Sequence, residues 1–465
     1  MSVPESVKKI LDSHNLTYDT VKQNISVGQW SVHEQNLRRN GAVKSILVED
    51  SKGKVLVIIS ANDLLDLKML EKQTGRSLTT SCKKDIETFC AKHQLISIPA
   101  LPNLAGITTY VDQGVLENEF VLLDIGVNEA VLKLSNDDFS SLVERAQVCD
   151  VTVNLNDLAQ KYGQVDAEEQ IFTAVKNFTT LRIKQRLEET LELPPLPETA
   201  QRIMQLRAVP EADISDLANI VEVDPSLAAQ VVSWASSPYY SAQGGIKSIH
   251  DAIVRVLGFD MVMNLALGLA LGKTMSMPKT SPEGSTPYWR QAIYTAALVE
   301  GLVTVQARDH RVGFGMAYLS GLLHNFGTLI LSEVFPPHYD SICRHIEVNS
   351  HVPQHLVEFH VLGISREQIS SWLMNVWNMP EEVVFALRHQ SHPDCDGEHE
   401  NYAKLLYLAQ AMLQTRGIGS GSSYSIDNQL FIDLHIDQQK ALTALENLMA
   451  SEEQLNSIAD TLNNA

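Results

Sequence analysis

Ten of the fifteen histidines fall between His310 and His399. Histidine is the common metal ligand and proton shuttle near neutral pH, so this crowding is the first sign of chemistry in the chain. Most of these positions also suit histidines on helix surfaces. His351 and His355 stand four apart, as two ligands on one helix face would, but Pro353 between them marks a helix start. No glutamate occupies the place a metalloprotease helix gives its base. The run Leu319–Leu331 (LSGLLHNFGTLIL) is more informative, because it sets His324 and Asn325 side by side within an apolar helix. A second centre is Lys44, the cation in GAVKSILV at the start of an apolar strand pattern. Strand alternation either aims its amine into a cleft or leaves it at a sheet edge.

The elements around these residues divide the chain in two. Residues 1–145 alternate short β-rich runs (Ser45–Val48, Val55–Ile59, Thr108–Val111, Phe120–Leu123, Ala130–Leu134) with helical patterns at Leu64–Lys72 and Lys83–Lys92. From about Val151 strand signals cease, and apolar residues recur at three- and four-residue spacing almost to the end. A charged helical stretch, Ala167–Glu192, leads into Leu193-Pro194-Pro195-Leu196-Pro197, which cannot continue a helix. The expected organisation is a domain over 1–148, a helical linker over 149–192, an all-α domain over 193–400 and a helical extension over 401–465.

Composition sets outer limits. The 465 residues are 44 % apolar and 20 % charged, enough to bury real cores. The formal charge is −20, which repels polyanions and disfavours general binding to nucleic acid or to an anionic membrane. Residues 1–150 carry 16 Lys+Arg against 20 Asp+Glu, so most of the negative charge lies in the other half. Five scattered cysteines without a Cys-x-x-Cys pair argue against a disulfide framework or a structural zinc. The start, MSVPESVKKILDSHN, lacks a basic patch followed by an apolar block, and the apolar stretch Ile253–Gly272 is interrupted by Arg255, Asp260 and Asn264. These features predict a cytoplasmic protein with no membrane span.

The helical half resembles the HDOD family, output-domain relatives of the HD phosphohydrolases. The resemblance rests on an ordered series: Leu193–Pro197, Asp224-Pro225, Ser236-Ser237-Pro238-Tyr239, Ala252-Ile253 to Leu257-Gly258, Tyr288-Trp289-Arg290, Gly321–Leu331, Glu358 and Trp377-Asn378-Met379-Pro380. It implies a bacterial signalling module. A catalytic HD site needs histidines and an aspartate that hold or bridge hard cations around an activated water. Here Asn325 replaces the aspartate after His324, and Gln291 stands where the first histidine belongs. Arg366 replaces a ligand in Gly363-Ile364-Ser365-Arg366, and the later histidines are blurred into His389-Gln390-Ser391-His392. A guanidinium repels a divalent cation and cannot deprotonate to help. The expectation is therefore a degenerate site with no metal and no cofactor. Gln291, His324, Asn325, Arg366 and His389 remain as residues of a ligand pocket, in which Arg366, His389 and Gln291 suit an anion; the other reading is that His324 and Asn325 simply hydrogen-bond within the core.

The first half resembles the YbaK/prolyl-tRNA-editing domain, whose corresponding strand carries a lysine needed for deacylation. The matches are the Lys44 strand, Tyr110–Gln113, Asp124–Asn128 and Leu134–Phe139. The resemblance implies a catalytic role for Lys44. The family's glycine-rich loop is replaced by Gln94–Pro102 (QLISIPALP), whose side chains would fill the approach to the lysine. Losing one oxyanion donor typically costs ~10²–10³ in rate. The fold class expected is thus an α+β domain, a mixed sheet with helices, followed by an all-α HD-like domain. The function expected is non-catalytic regulation through a protein partner or small ligand. Deacylation of mischarged tRNA through Lys44 is the alternative, with tRNA disfavoured by net charge, and metal-dependent phosphohydrolysis is a third reading.

Overall fold

A computed structural model of the chain describes residues 3–14, 16, 18–22, 41–102, 106–126, 130–164, 195–240, 246–419, 421 and 426–463. The helix expected at Ala167–Glu192, the start of the proline segment, Gly244-Gly245 and the basic pair Arg38-Arg39 lie outside the described residues.

The first half is built on strands β1 (Asp19–Lys22), β2 (Ala42–Asp50), β3 (Gly53–Ser60), β4 (Asp63–Leu65), β5 (Thr79–Thr80), β6 (Thr108–Asp112), β7 (Phe120–Asp124), β8 (Ala130–Ser135), β9 (Gln147–Cys149) and β10 (Thr152–Asn154). β2 and β3 form a hairpin closed at Asp50 and Gly53, where φ of 120° suits only glycine. The main sheet runs β1-β8-β7-β2-β3-β6-β9, with β7 parallel to β2 and β3 parallel to β6. Period-two alternation gives the sheet two apolar faces. Val43, Leu47, Leu56 and Ile58 pack with Val7 and Leu11 of α1 (Glu5–Ser13) and with Phe139 and Leu142 from the helix Asn136–Val143. Ile46, Val48, Val55, Val57 and Ile59 face the other way, into a cluster that includes Val348 of the second half.

Two local readings are corrected. Leu64–Lys72 reads as one helix, but Asp63–Leu65 is strand β4, paired with the distant β10. The helix α2 (Leu67–Thr74) starts only after Asp66, whose carboxylate accepts from Lys68 N and Met69 N as an N-cap. The linker expected to be helical from 149 holds the end of β9 and all of β10 before a helix, Leu155–Gln164, begins. Short strands paired across 87 to 91 positions, from Thr152 opposite Leu65 to Asn154 opposite Asp63, leave no local periodic trace.

The second half is helical throughout its described residues apart from one isolated bridge, Gln306 with Ile436. Counting on along the chain, α3 is Lys83–His93, α4 Asn136–Val143, α5 Leu155–Gln164, α6 Glu198–Arg207, α7 Ile214–Glu222, α8 Pro225–Ala235, α9 Ile249–Ala252 and α10 Phe259–Gly272. Then come α11 (Tyr288–Val305), α12 (Phe314–Leu323), α13 (Phe326–Val334), α14 (Pro336–Val348), α15 (Gln354–Leu362), α16 (Arg366–Val376), α17 (Glu381–His389) and α18 (Glu400–Gln414). Asn428–Asp433, Gln438–Ala450 and Glu452–Asn463 close the body as α19 to α21. Their starts obey capping chemistry: Asp224 caps α8 with Pro225 in its first turn, and Ser365 with Gln368 forms a capping box on α16. Phe314–Val334 is apolar and long enough to cross a membrane, yet it is 83 % buried inside the fold and divided at Asn325.

The halves meet along a polar seam. Asn349 Oδ1 accepts from Leu65 N at 2.8 Å, and its Nδ2 donates to Leu65 O at 2.9 Å. His351 Nε2 lies 2.9 Å from Asp63 O, and His360 Nε2 lies 2.8 Å from Asp66 Oδ2. Leu155, Leu158 and Tyr162 of α5 join the core of the helical body. Tyr162 rests against the rings of His355, Phe359 and His392. Five of the histidines crowded between positions 310 and 399 thus serve this seam: 345, 351, 355, 360 and 392.

Candidate functional site

α12 and α13 meet at His324 and Asn325, which are 2 % and 3 % exposed. Gly327 is required just beyond them, because a Cβ there would stand 2.0 Å from Arg366 O. That contact seats the start of α13 against the start of α16 and brings Arg366 to the same place as His324. A small polar chamber of about 30 Å³ results, room for one or two waters, lined among others by Gln291, His324, Asn325 and Arg366.

His324 Nδ1 lies 2.7 Å from Gly321 O, which assigns the ring proton to Nδ1. Burial, with Arg366 adding to it, lowers the imidazole to about 4, against the help of the Gly321 carbonyl. The ring is therefore neutral, with a bare Nε2 that has no hydrogen-bond partner. Asn325 donates from Nδ2 to Tyr288 O at 3.1 Å, and its Oδ1 is likewise unpartnered. Thr295 Oγ1 and Glu367 Oε2, on two further lining residues, share that condition. Gln390 Nε2 donates to His324 O at 3.0 Å and fixes the back wall.

Arg366 does not point a free charge into this space. Its Nε donates to Glu358 Oε1 at 2.8 Å, and its backbone N–H donates to Glu358 Oε2, also at 2.8 Å. Burial pushes the Glu358 carboxyl up to about 7, opposed by the guanidinium. The donors do not suit the divalent cations that HD chemistry uses. Of the two carboxylates beside the chamber, Glu358 is engaged by Arg366 and Glu367 accepts from Ser391, and the aspartate position is a neutral amide. Among the described residues no group of three or more His, Cys, Asp or Glu is arranged to hold a metal ion.

Four of the five residues singled out from sequence line the chamber. His389 does not: its ring packs on Phe385, with burial lowering its pKa to about 4, and Gln390 and Ser391 face the chamber instead. Sequence reading missed Thr295, Gln354, His355, Glu367 and Gln410 as lining residues. Two of them had a signal: His355 in its four-residue spacing from His351, and Glu367 in its place beside Arg366 in the loop-to-helix motif. A larger cavity of about 240 Å³ adjoins the chamber and shares Gln291, Asn325, Gln354 and Arg366 with it. Its outer wall is the 277–287 loop with Tyr288, Tyr339 and Cys343.

The second centre lies on β2. Lys44, opposite Ile59 of β3, is half-buried and faces the side of the sheet that carries Ile46 and Val48. Desolvation lowers its amine to about 8, partly offset by Asp124. Asp124 accepts from Ser97 Oγ at 2.7 Å and from Gly126 N at 2.8 Å, which ties the 94–102 loop to the end of β7. The loop lies against β2, where Ser45 Oγ, next to Lys44, donates to Ile98 O at 2.5 Å. Leu95, Ala100 and Leu101 turn inward and are buried, while Ile96 is 65 % exposed. Lys44 Nζ donates to Ser350 Oγ of the helical half at 3.1 Å.

An α+β domain bearing a desolvated strand lysine, joined to an all-helical body with an HD-like centre, defines a two-module class of protein. Residues 193–393 match the HDOD domain family, and residues 31–142 match the aminoacyl-tRNA editing domain family. A crystal structure from Marinobacter aquaeolei VT8, described as a candidate signal transduction protein, is 40 % identical over 99 % of this chain and all of that one, with a TM-score of 0.88. The chain belongs to the HDOD family, in the form that carries an N-terminal aminoacyl-tRNA editing domain. An HDOD domain protein of unknown function from Geobacter sulfurreducens shares the fold at 19 % identity, covering 64 % of this chain and 99 % of that one (TM-score 0.51). An uncharacterized protein of Treponema pallidum is 22 % identical over 210 residues, 45 % of this chain and 40 % of its own length. The chain therefore spans less than half of that curated relative.

Proposed function

We propose that the chain is a bacterial regulatory protein whose helical domain acts without metal or hydrolysis, by receiving a small ligand or a protein partner. The observation that carries this reading is the Arg366–Glu358 pair beside His324 and Asn325. It pairs the one cation of the centre internally, and a polar chamber lined by unpartnered acceptors connects with a cavity large enough for a small molecule. The description of the Marinobacter relative as a signal transduction protein supports the regulatory half of the reading. Incubation of the full chain with nucleotides, cyclic dinucleotides and a generic phosphodiester, with Mn²⁺ or Mg²⁺ added, tests it. No turnover above the His324→Ala variant is expected, and His324-dependent hydrolysis of any of them overturns the proposal.

A second reading has its own observation, the lowered pKa of Lys44 near Asp124. An amine titrating at about 8 is partly free at neutral pH, which suits proton transfer or nucleophilic work. Deacylation of a panel of mischarged tRNAs that disappears in Lys44→Ala would place an editing activity in the first half.

A further inference from the structure

Strand alternation sends Lys44 toward the side of the sheet on which the helical half sits, the side whose apolar cluster includes Val348. Two residues beyond Val348, Ser350 meets the amine. The turn that carries Ser350 is held on both sides. Asn349 makes a two-point contact with the backbone of Leu65, as a neighbouring strand would, and His351 reaches Asp63 O. Next to this turn, Lys83 N at the start of α3 donates to Glu283 Oε1 of the helical half at 3.2 Å. The staples thus fix a serine hydroxyl at the tip of the first domain's desolvated lysine.

We propose that the helical domain is a built-in cap on the editing-type domain: the Asn349–His351 turn occupies the amine of Lys44, which becomes available to a substrate only when the seam opens. The proposal goes beyond the regulatory reading and stands whatever the helical chamber binds. It has a structural route to that chamber, because α15 begins three residues after His351, and Gln354 and His355 of α15 line it. The cap is conformational and adds no covalent step. Ser350 is itself exposed, whereas Asn349 and His351 are buried, so the turn lifts only when their bonds to Leu65 and Asp63 break.

The test is the labelling rate of individual lysines in the full chain, using an acetylating N-hydroxysuccinimide ester at pH 7.5 with peptide mass spectrometry. Lys9, whose side chain is 75 % exposed, is the internal reference. A free amine with a lowered pKa would outpace Lys9, because far more of it is unprotonated. A capped Lys44 lags behind Lys9 in the wild-type chain. Loosening the seam with Asn349→Ala and His351→Ala is expected to raise the Lys44 rate at least tenfold and leave Lys9 unchanged. Ser350→Asp, a change at an exposed turn that keeps the fold and adds a carboxylate to the clamp, is expected to slow Lys44 at least threefold. Wild-type Lys44 labelling faster than Lys9, or a Lys44 rate indifferent to Ser350→Asp, overturns the proposal, even if the double variant does not fold.

Discussion

Glu358 holds Arg366 twice: one carboxylate oxygen takes the guanidinium Nε–H and the other takes the backbone N–H of the same residue, both at 2.8 Å. The side-chain bond neutralises a buried cation, and the backbone bond satisfies one of the open N–H groups at the start of α16. Charge balance and helix geometry at the chamber therefore depend on one carboxylate that is 3 % exposed.

Removing one member of that pair strands the other in the interior. Arg366→Met is expected to lower unfolding free energy by ~3–5 kcal/mol, whereas Arg366→Met combined with Glu358→Leu should lose less than Arg366→Met alone. Urea unfolding of the single and double variants measures the difference.

His324 makes stability depend on pH. Its folded-state pKa is about 4 against an ordinary 6.5, so above 6.5 both folded and unfolded imidazoles are neutral and the full contribution is present. As pH falls from 6.5 toward 4, the unfolded chain takes up a proton that the folded chain refuses, and ~3 kcal/mol of stability is lost. Burial raises the pKa of Glu358 and Glu300, whose stabilising effect is lost in the opposite direction, as pH rises. The measurement is thus the wild-type loss between pH 7 and pH 4 compared with that of His324→Gln, which should be smaller by about that amount.

Gly327→Ala should be among the costliest one-carbon additions in the chain. The new Cβ would meet the backbone of Arg366, which cannot swing aside as a side chain would. α13 and α16 must part, with an expected cost of ~3 kcal/mol or more and a loosened chamber. Thermal unfolding measures the cost, and faster amide exchange at the start of α16 measures the loosening.

At the seam, Asn349→Leu removes the donor and the acceptor that satisfy Leu65 N and O. Two buried backbone groups without partners predict a loss of ~2–4 kcal/mol. Asn349→Asp is expected to fare nearly as badly, because it keeps the acceptor but cannot donate to Leu65 O. Urea unfolding of both variants checks the order.

Much of this architecture was legible because local pattern and tertiary structure agree. The strand runs around Ile46, Val57, Tyr110, Leu122 and Leu132 fall in β2, β3, β6, β7 and β8, and the apolar run Ile253–Gly272, interrupted by charges in the sequence, packs into the helical body rather than spanning a membrane. β4 and β10 were illegible because three-residue strands paired across the domain have no period of their own. Gln291, His324, Asn325 and Arg366 could be grouped through the ordered motifs that the fold brings together. His389 could not be told from Gln390 and Ser391, since one residue at a helix end turns a side chain by about 100°. The seam histidines were the least legible of all. Histidine spacing within one helix says nothing about partners such as Asp63 O, 288 positions away.

The most direct measurement is elemental analysis of the full chain, purified without chelators after growth in medium supplemented with Mn, Fe, Ni and Zn. Far less than one equivalent of any transition metal is predicted, with no difference between wild type and His324→Ala. One tightly held equivalent in wild type that vanishes in His324→Ala would contradict the proposal that the helical domain works without a metal.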